Sequence, residues 1–169
     1  MENKLNNKGL TLLELMIAMA IASIVIGSIT YFMATSTKSY RKANDEITLQ
    51  IEAQTILNQL NELIIEAYNV KMNEPTKTLT IYRGDMIYFI KLEDGKLMLN
   101  KKASGIDADS GDTWILFGDY VGVFKVKDTG ENNNNSSILI SLELRKNSSI
   151  YSVDNSLIAL RNRIKAIPN

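Results

Sequence analysis

The stretch Asn7–Ala22, NKGLTLLELMIAMAIA, opens an apolar run that continues to Ala34, and one carboxylate, Glu14, lies inside it. Leu10–Ala34 is 25 residues long and carries that single charge. At ~1.5 Å rise per residue the run makes a helix of roughly 37 Å, enough to cross a ~30 Å hydrocarbon core with some tilt. Lys4, Lys8 and the α-amino group precede it, against Glu2. That excess of positive charge predicts a cytoplasmic N-terminus with the rest of the chain outside the membrane.

Three readings compete for this segment. A cleaved secretory signal has an apolar core of about 7–15 residues followed by a small-residue cleavage site. The run here is longer, and Ser39-Tyr40-Arg41-Lys42 after it reads as helix. A plain membrane anchor fits the length and the flanking charges. It leaves Glu14 unexplained, because an acid in hydrocarbon is costly unless it has a partner.

The third reading supplies that partner. The run Lys8-Gly9-Leu10-Thr11-Leu12-Leu13-Glu14-Leu15 resembles the class III signal of type IV prepilins and pseudopilins. The resemblance implies that an aspartyl prepilin peptidase cuts between Gly9 and Leu10 on the cytoplasmic side and methylates the new N-terminus at Leu10. The apolar segment is then retained as filament core. Leu10 departs from the family pattern, in which phenylalanine is usual. Under this reading the cut creates a positive amine four residues before Glu14, in the same chain or facing it from a neighbour. Either pairing cancels two charges in a low-dielectric bundle, and an acid near a helix N-terminus also suits the macrodipole. Removing Glu2, Lys4 and Lys8 leaves 17 basic and 18 acidic side chains.

Nineteen basic and nineteen acidic side chains cancel over the 169 residues. A balanced surface gives no reason to expect nucleic acid as a partner. There is no cysteine and no histidine. Disulfides, thiolate chemistry and Ser–His or Cys–His catalysis are therefore excluded, along with the commonest transition-metal ligand.

No proline precedes Pro75. From Ser39 to about Tyr68 the apolar positions Tyr40, Ala43, Ile47, Ile51, Ile56, Leu57, Leu60, Ile64 and Ala67 recur at helical spacing. They predict one stripe of an amphipathic helix, and with the apolar run a single helix over Leu10–Ala67, 58 residues long. Gly27 is its expected weak point. A coiled-coil segment is the alternative for the second half.

After Pro75 the period changes to two. Lys77–Arg83 and Met86–Leu92 flank Gly84-Asp85, a tight-hairpin turn, and Leu97–Lys101 follows the turn Glu93-Asp94-Gly95. Trp114–Phe117, Val121–Lys127 and Ile138–Lys146 read as further strands, with Glu131–Ser137 a solvated loop. The last strand is expected within Leu157–Ile164. Tyr82, Tyr88, Phe89, Trp114, Phe117 and Phe124 fall on these strands and are expected in the core. The expected fold class is α+β: a long N-terminal helix, half transmembrane and half amphipathic, packed on an antiparallel β-sheet head. The expected divisions are a leader at 1–9, a transmembrane or filament-core helix at 10–36, an amphipathic continuation at 37–68 and the head at 69–169.

The C-terminal LIALRNRI, after the strand ILISLELRK, resembles the end of J- and W-type minor pilins and pseudopilins. Read from the residues alone, it is an edge strand protected by Arg161 and Arg163. Asp107, Asp109 and Asp112 cluster in one polar loop and form a weak calcium candidate. Counted from Asp107, the sixth position is Asp112 and the twelfth is Gly118, which does not fit the EF-hand pattern, so a solvated acidic loop is the expected reading. No phosphate-binding glycine loop, catalytic group or cofactor is expected.

The family resemblance implies a minor pilin, a structural subunit that acts by assembly. Its implied partners are other pilins and minor pilins, the prepilin peptidase, an inner-membrane assembly platform and the membrane. It implies a single-pass membrane protein with a cytoplasmic leader and an extracytoplasmic head, later carried on the pilus and cell surface. The alternatives are a pseudopilin of a type II secretion or competence DNA-uptake machine, and a membrane-anchored binding module that never assembles.

Overall fold

The computed structural model describes residues 11–73, 76–103, 113–128 and 137–161. The chain divides into two units, Met1–Ala43 and Asn44–Asn169. One helix, α1 (Leu12–Ile65), runs through 54 residues. It begins at Leu12 rather than Leu10 because Thr11, outside the helix, caps it. It ends at Ile65, where Glu66 turns and the Ala67 amide donates to the Ile64 carbonyl at 3.0 Å.

In the first unit every described residue is exposed, including Leu12, Met16, Ile24, Tyr31 and Phe32. The apolar stretch of the helix up to Ala34 is poorly matched to water, and its serine and threonine hydroxyls find acceptors within the helix. Ser23 donates to the Met19 carbonyl at 2.8 Å, Ser28 to Ile24 at 2.8 Å, and Thr30 to Ile26 at 2.9 Å. Each hydroxyl is satisfied within its own helix, so none requires water.

In the second unit α1 buries Leu49, Ala53, Ile56, Leu60 and Ile64, all at 0 % exposure. These positions step by four and three residues and form one face. The expected stripe is thus half right. Ile56, Leu60, Ile64 and Ala67 are buried and Leu57 partly so, whereas Tyr40, Ala43, Ile47 and Ile51 are exposed. Ile47 and Leu49 differ by two residues, about 200° around a helix, so they lie on opposite faces. Apolar residues occupy both faces of this stretch, and spacing alone picks the wrong one.

The head contains a five-stranded antiparallel sheet in the order β1 (Asn69–Asn73), β2 (Thr78–Arg83), β3 (Met86–Glu93), β4 (Lys96–Ala103), β5 (Ile115–Gly118). A three-stranded sheet follows in the order β6 (Val121–Asp128), β7 (Ser137–Lys146), β8 (Ser149–Ala159). The hairpins read from sequence are present. Arg83 pairs with Met86 across Gly84-Asp85, and Gly84 takes a positive φ of 55°. Glu93 pairs with Lys96 across Asp94-Gly95, whose φ values of 49° and 76° suit a type I′ turn.

Leu79, Ile81, Ile90 and Leu97 from the first sheet join Phe124, Ile138, Ile140, Leu142, Leu144 and Ile158 from the second in one core with the α1 face. The helix thus packs on antiparallel sheet, the α+β arrangement of type IV pilins. The 0 % exposed residues of α1 come from one edge of the helix only, which fits a single sheet-covering stripe.

Three strand expectations need correction. β1 was not expected; Asn69–Asn73 has only Val70 and Met72 as apolar signal, and it is stabilised by pairing along β2. The last strand starts at Ser149, not near Leu157, because Asn147-Ser148 forms a tight turn with Asn147 at φ 52°. Leu157–Ala159 only ends that strand, and Arg161 lies beyond it, its amide donating to the Ile65 carbonyl at 2.9 Å. Arg163 lies outside the described residues. Among the aromatics, Phe89 and Phe124 are buried, but Tyr82, Tyr88, Trp114 and Phe117 are half-buried. Trp114 precedes β5, and the Lys91 ammonium sits 4.3 Å from its ring centroid.

Candidate functional site

Thr11 and Glu14 meet at the start of α1. The Glu14 amide donates to Thr11 Oγ1 at 3.3 Å, while Glu14 Oε2 accepts the Thr11 amide at 2.9 Å. The Thr11 hydroxyl also donates to Glu14 Oε2 at 2.9 Å. The Thr11 carbonyl accepts the first intrahelical bond, from Leu15 at 3.2 Å. This is a reciprocal capping box, with threonine at the N-cap and glutamate at the third helical position. It satisfies two of the backbone amides that a helix start leaves open, a larger gain in an apolar medium than in water.

Glu14 therefore has a partner before any new amine exists. The sequence reading sought that partner in cleavage chemistry and missed Thr11, although the spacing T-x-x-E is itself a capping signal. Gly9 and Leu10 lie outside the described residues, as do Asp107, Asp109 and Asp112. Among the described residues no group of three His, Cys, Asp or Glu side chains forms a metal-holding cluster. Among the described residues one helix, α1, is long and apolar enough to cross a membrane, and none of its most apolar window is buried.

A second polar cluster fastens α1 to the head. Asp45 Oδ2 accepts the Asn147 side-chain amide at 2.8 Å, and Lys146 Nζ lies 3.3 Å from Asp45 Oδ1. The Asn147 hydrogen bond, opposed by partial burial and assisted by the hydrogen bond and charge of Lys146, holds the Asp45 carboxyl below the usual carboxylate range. Seven residues along, Glu52 Oε1 accepts the Asp119 amide at 2.8 Å. Between them the chain passes close to the helix at Gly118, where a Cβ would stand 2.4 Å from Ile56 Cδ1. Nothing in the local sequence pattern signals these contacts, since the partners are 67 and 102 residues apart.

Residues 4–30 match the prokaryotic N-terminal methylation motif. No curated protein and no solved structure matches the chain. The motif, the exposed apolar helix and the α+β head together support a type IV prepilin-like family. Over residues 4–30 the chain is similar to type IV pilins and pseudopilins, and α1 is long and apolar enough to cross a membrane. The motif implies processing by a prepilin peptidase and assembly with other pilins, and proteins of this kind are structural rather than enzymatic.

Proposed function

We propose that this protein is a minor type IV pilin, cut by prepilin peptidase between Gly9 and Leu10, methylated at Leu10, and incorporated into a pilus or used to prime one. The observation that carries the reading is the methylation motif over residues 4–30, laid on a helix start that holds one carboxylate, Glu14, in an exposed apolar surface. Residues 1–9 act as leader, 10–36 as membrane and then filament-core helix, and the head stands on the extracytoplasmic side. The mechanism is assembly. In the membrane, and then in the filament, Glu14 pairs with the amine of Leu10, its own or a neighbouring subunit's, and so cancels both charges in a low-dielectric bundle. The remaining partners are other pilins and the membrane platform that adds subunits.

The test is incorporation. Filaments sheared from cells expressing the chain contain it when the peptidase is active and lack it when the peptidase is absent. A chain that stays wholly in the membrane fraction under both conditions contradicts the proposal and favours an anchored binding module. Recovery only with secretion or DNA-uptake components moves it to the pseudopilins.

A further inference from the structure

We propose that Lys38 and Arg41, with Tyr31 on the turns of α1 before them, form a binding site for the phosphates of anionic phospholipids where the apolar run ends. The inference rests on the reading that α1 crosses a membrane, and it adds a ligand class and the residues that take it.

The sequence places the charges. Between Glu14 and Asp45 there is no acid, and the cations of that interval, Lys38, Arg41 and Lys42, all follow the end of the apolar run at Ala34. All lie exposed on α1. Lys38 stands ~6 Å along the helix from Ala34, and Arg41 ~10 Å. The headgroup layer outside a ~30 Å hydrocarbon core is roughly 5–7 Å deep on each side. Side chains of a helix tilt toward its N-terminus. For residues that follow a membrane span, that direction leads back to the phosphates, so the long apolar stems of Lys38 and Arg41 bring their charges down to them.

The surroundings favour a lipid as the occupant. Among the described residues neither Lys38 nor Arg41 has a carboxylate within ion-pair distance, whereas Arg83, Lys91, Arg145 and Lys146 each have one. Tyr31 is 76 % exposed and Phe32 72 %, at the level where aromatic rings line the boundary between hydrocarbon and water. Lys38 follows Tyr31 by about 700° of helix rotation, so the ring and the ammonium share one face. Between them Thr35 and Thr37 donate to the Tyr31 and Met33 carbonyls at 3.0 and 2.9 Å. The surface thus passes from apolar to hydroxyl to cation, in the order of polarity met on leaving a bilayer. Arginine offers phosphate a two-pronged fork and lysine a point charge. An open helix face has no pocket to hold a free phosphate ion, and it suits a phosphate already concentrated in the plane of a membrane.

The experiment reconstitutes the full chain into vesicles of phosphatidylcholine with a minor fraction of phosphatidylglycerol. The lipid that stays with the protein after mild detergent extraction is then analysed by mass spectrometry. The wild type is expected to retain phosphatidylglycerol in preference to phosphatidylcholine, and to lose the preference in high salt. Lys38→Gln with Arg41→Gln is expected to lower the preference about five-fold or more, the weight of at least one cation near an anionic surface. Lys38→Arg with Arg41→Lys keeps both charges and is expected to keep most of it. Lys125→Gln with Lys127→Gln removes two exposed charges from β6 in the head and is expected to change nothing. No preference in the wild type overturns the inference, as does an equal preference in the Lys38→Gln, Arg41→Gln chain. An equal loss in the head variant also overturns it, since net charge alone then accounts for the lipid. Absence of lipid preference in a Lys38→Gln, Arg41→Gln chain that fails only to enter filaments, beside a wild type equally indifferent to lipid, gives the pair to an acidic neighbour instead. A wild-type chain that does not float with the vesicles contradicts the membrane reading itself, before any lipid is compared.

Discussion

Glu14 is an acid in an apolar helix that caps α1 with Thr11, and in the proposed function it is also the counter-charge of the new amine; substitutions separate the two uses. Glutamine at position 14 still accepts the Thr11 amide, because the capping box takes either side chain, but it carries no charge. Glu14→Gln is therefore expected to be processed normally yet to be missing from sheared filaments. Glu14→Ala leaves the Thr11 hydroxyl on the amide of residue 14 and is likewise expected to be processed and then excluded. Normal incorporation of either variant, measured by immunoblot of the sheared fraction, contradicts the pairing argument. A different residue-scale test concerns Gly118. A methyl there collides with the fully buried Ile56, so Gly118→Ala is expected to cost about 1–3 kcal/mol in thermal or denaturant unfolding. A neutral result would show that the helix and β5 do not approach as closely as described.

At the scale of elements, α1 carries two apolar faces and only one packs on the head. Leu60→Ala is expected to destabilise the protein by about 2–5 kcal/mol, since the side chain is fully buried. Ile51→Ala, at 60 % exposure, is expected to change stability by less than ~0.5 kcal/mol. Comparable losses at the two positions would restore the stripe read from sequence. That reading identified the helix, its length to within a few residues, and the three hairpin strands of the first sheet, because each is written in local periodicity and turn chemistry. It missed Leu49 and Ala53, since Ile47 and Ile51 offer an equally apolar face at the same spacing and only the sheets decide between them. It misplaced the last strand because the turn at Asn147-Ser148 carries no glycine or proline. Its positive φ is held by the Asn147 side chain on Asp45, a residue distant in sequence. The capping box was legible in T-x-x-E but was overshadowed by the charge it contains.

The Asp45 clamp predicts a pH dependence at the same scale. Its folded pKa is lowered by Asn147, so the clamp contributes stability that is fully present above the unfolded value of about 3.9 and is lost as pH falls through the folded value. Asp45→Asn removes the titrating group. The difference in melting temperature between wild type and Asp45→Asn is expected to be constant from neutral pH down to about 5 and to shrink below about 4. A difference that persists unchanged into strong acid, or that grows there, assigns the clamp no electrostatic part.

For the whole molecule, the two units divide the labour. The first is an exposed helix, apolar up to Ala34, in which Ser23, Ser28 and Thr30 donate to backbone carbonyls of the helix and Glu14 is capped. The second is a sheet-covered helix with its own core, held to β5–β8 by Glu52 and Asp45. The sequence holds no histidine and no cysteine, and assembly is the activity that we propose these features serve. The central claim is that the leader is removed at one bond and the rest retained. The most direct measurement is the intact mass of the chain purified from cells that also express a prepilin peptidase. The account predicts a chain that begins at Leu10 and carries one added methyl group. A chain that still begins at Met1, or one cut beyond the apolar run, contradicts it.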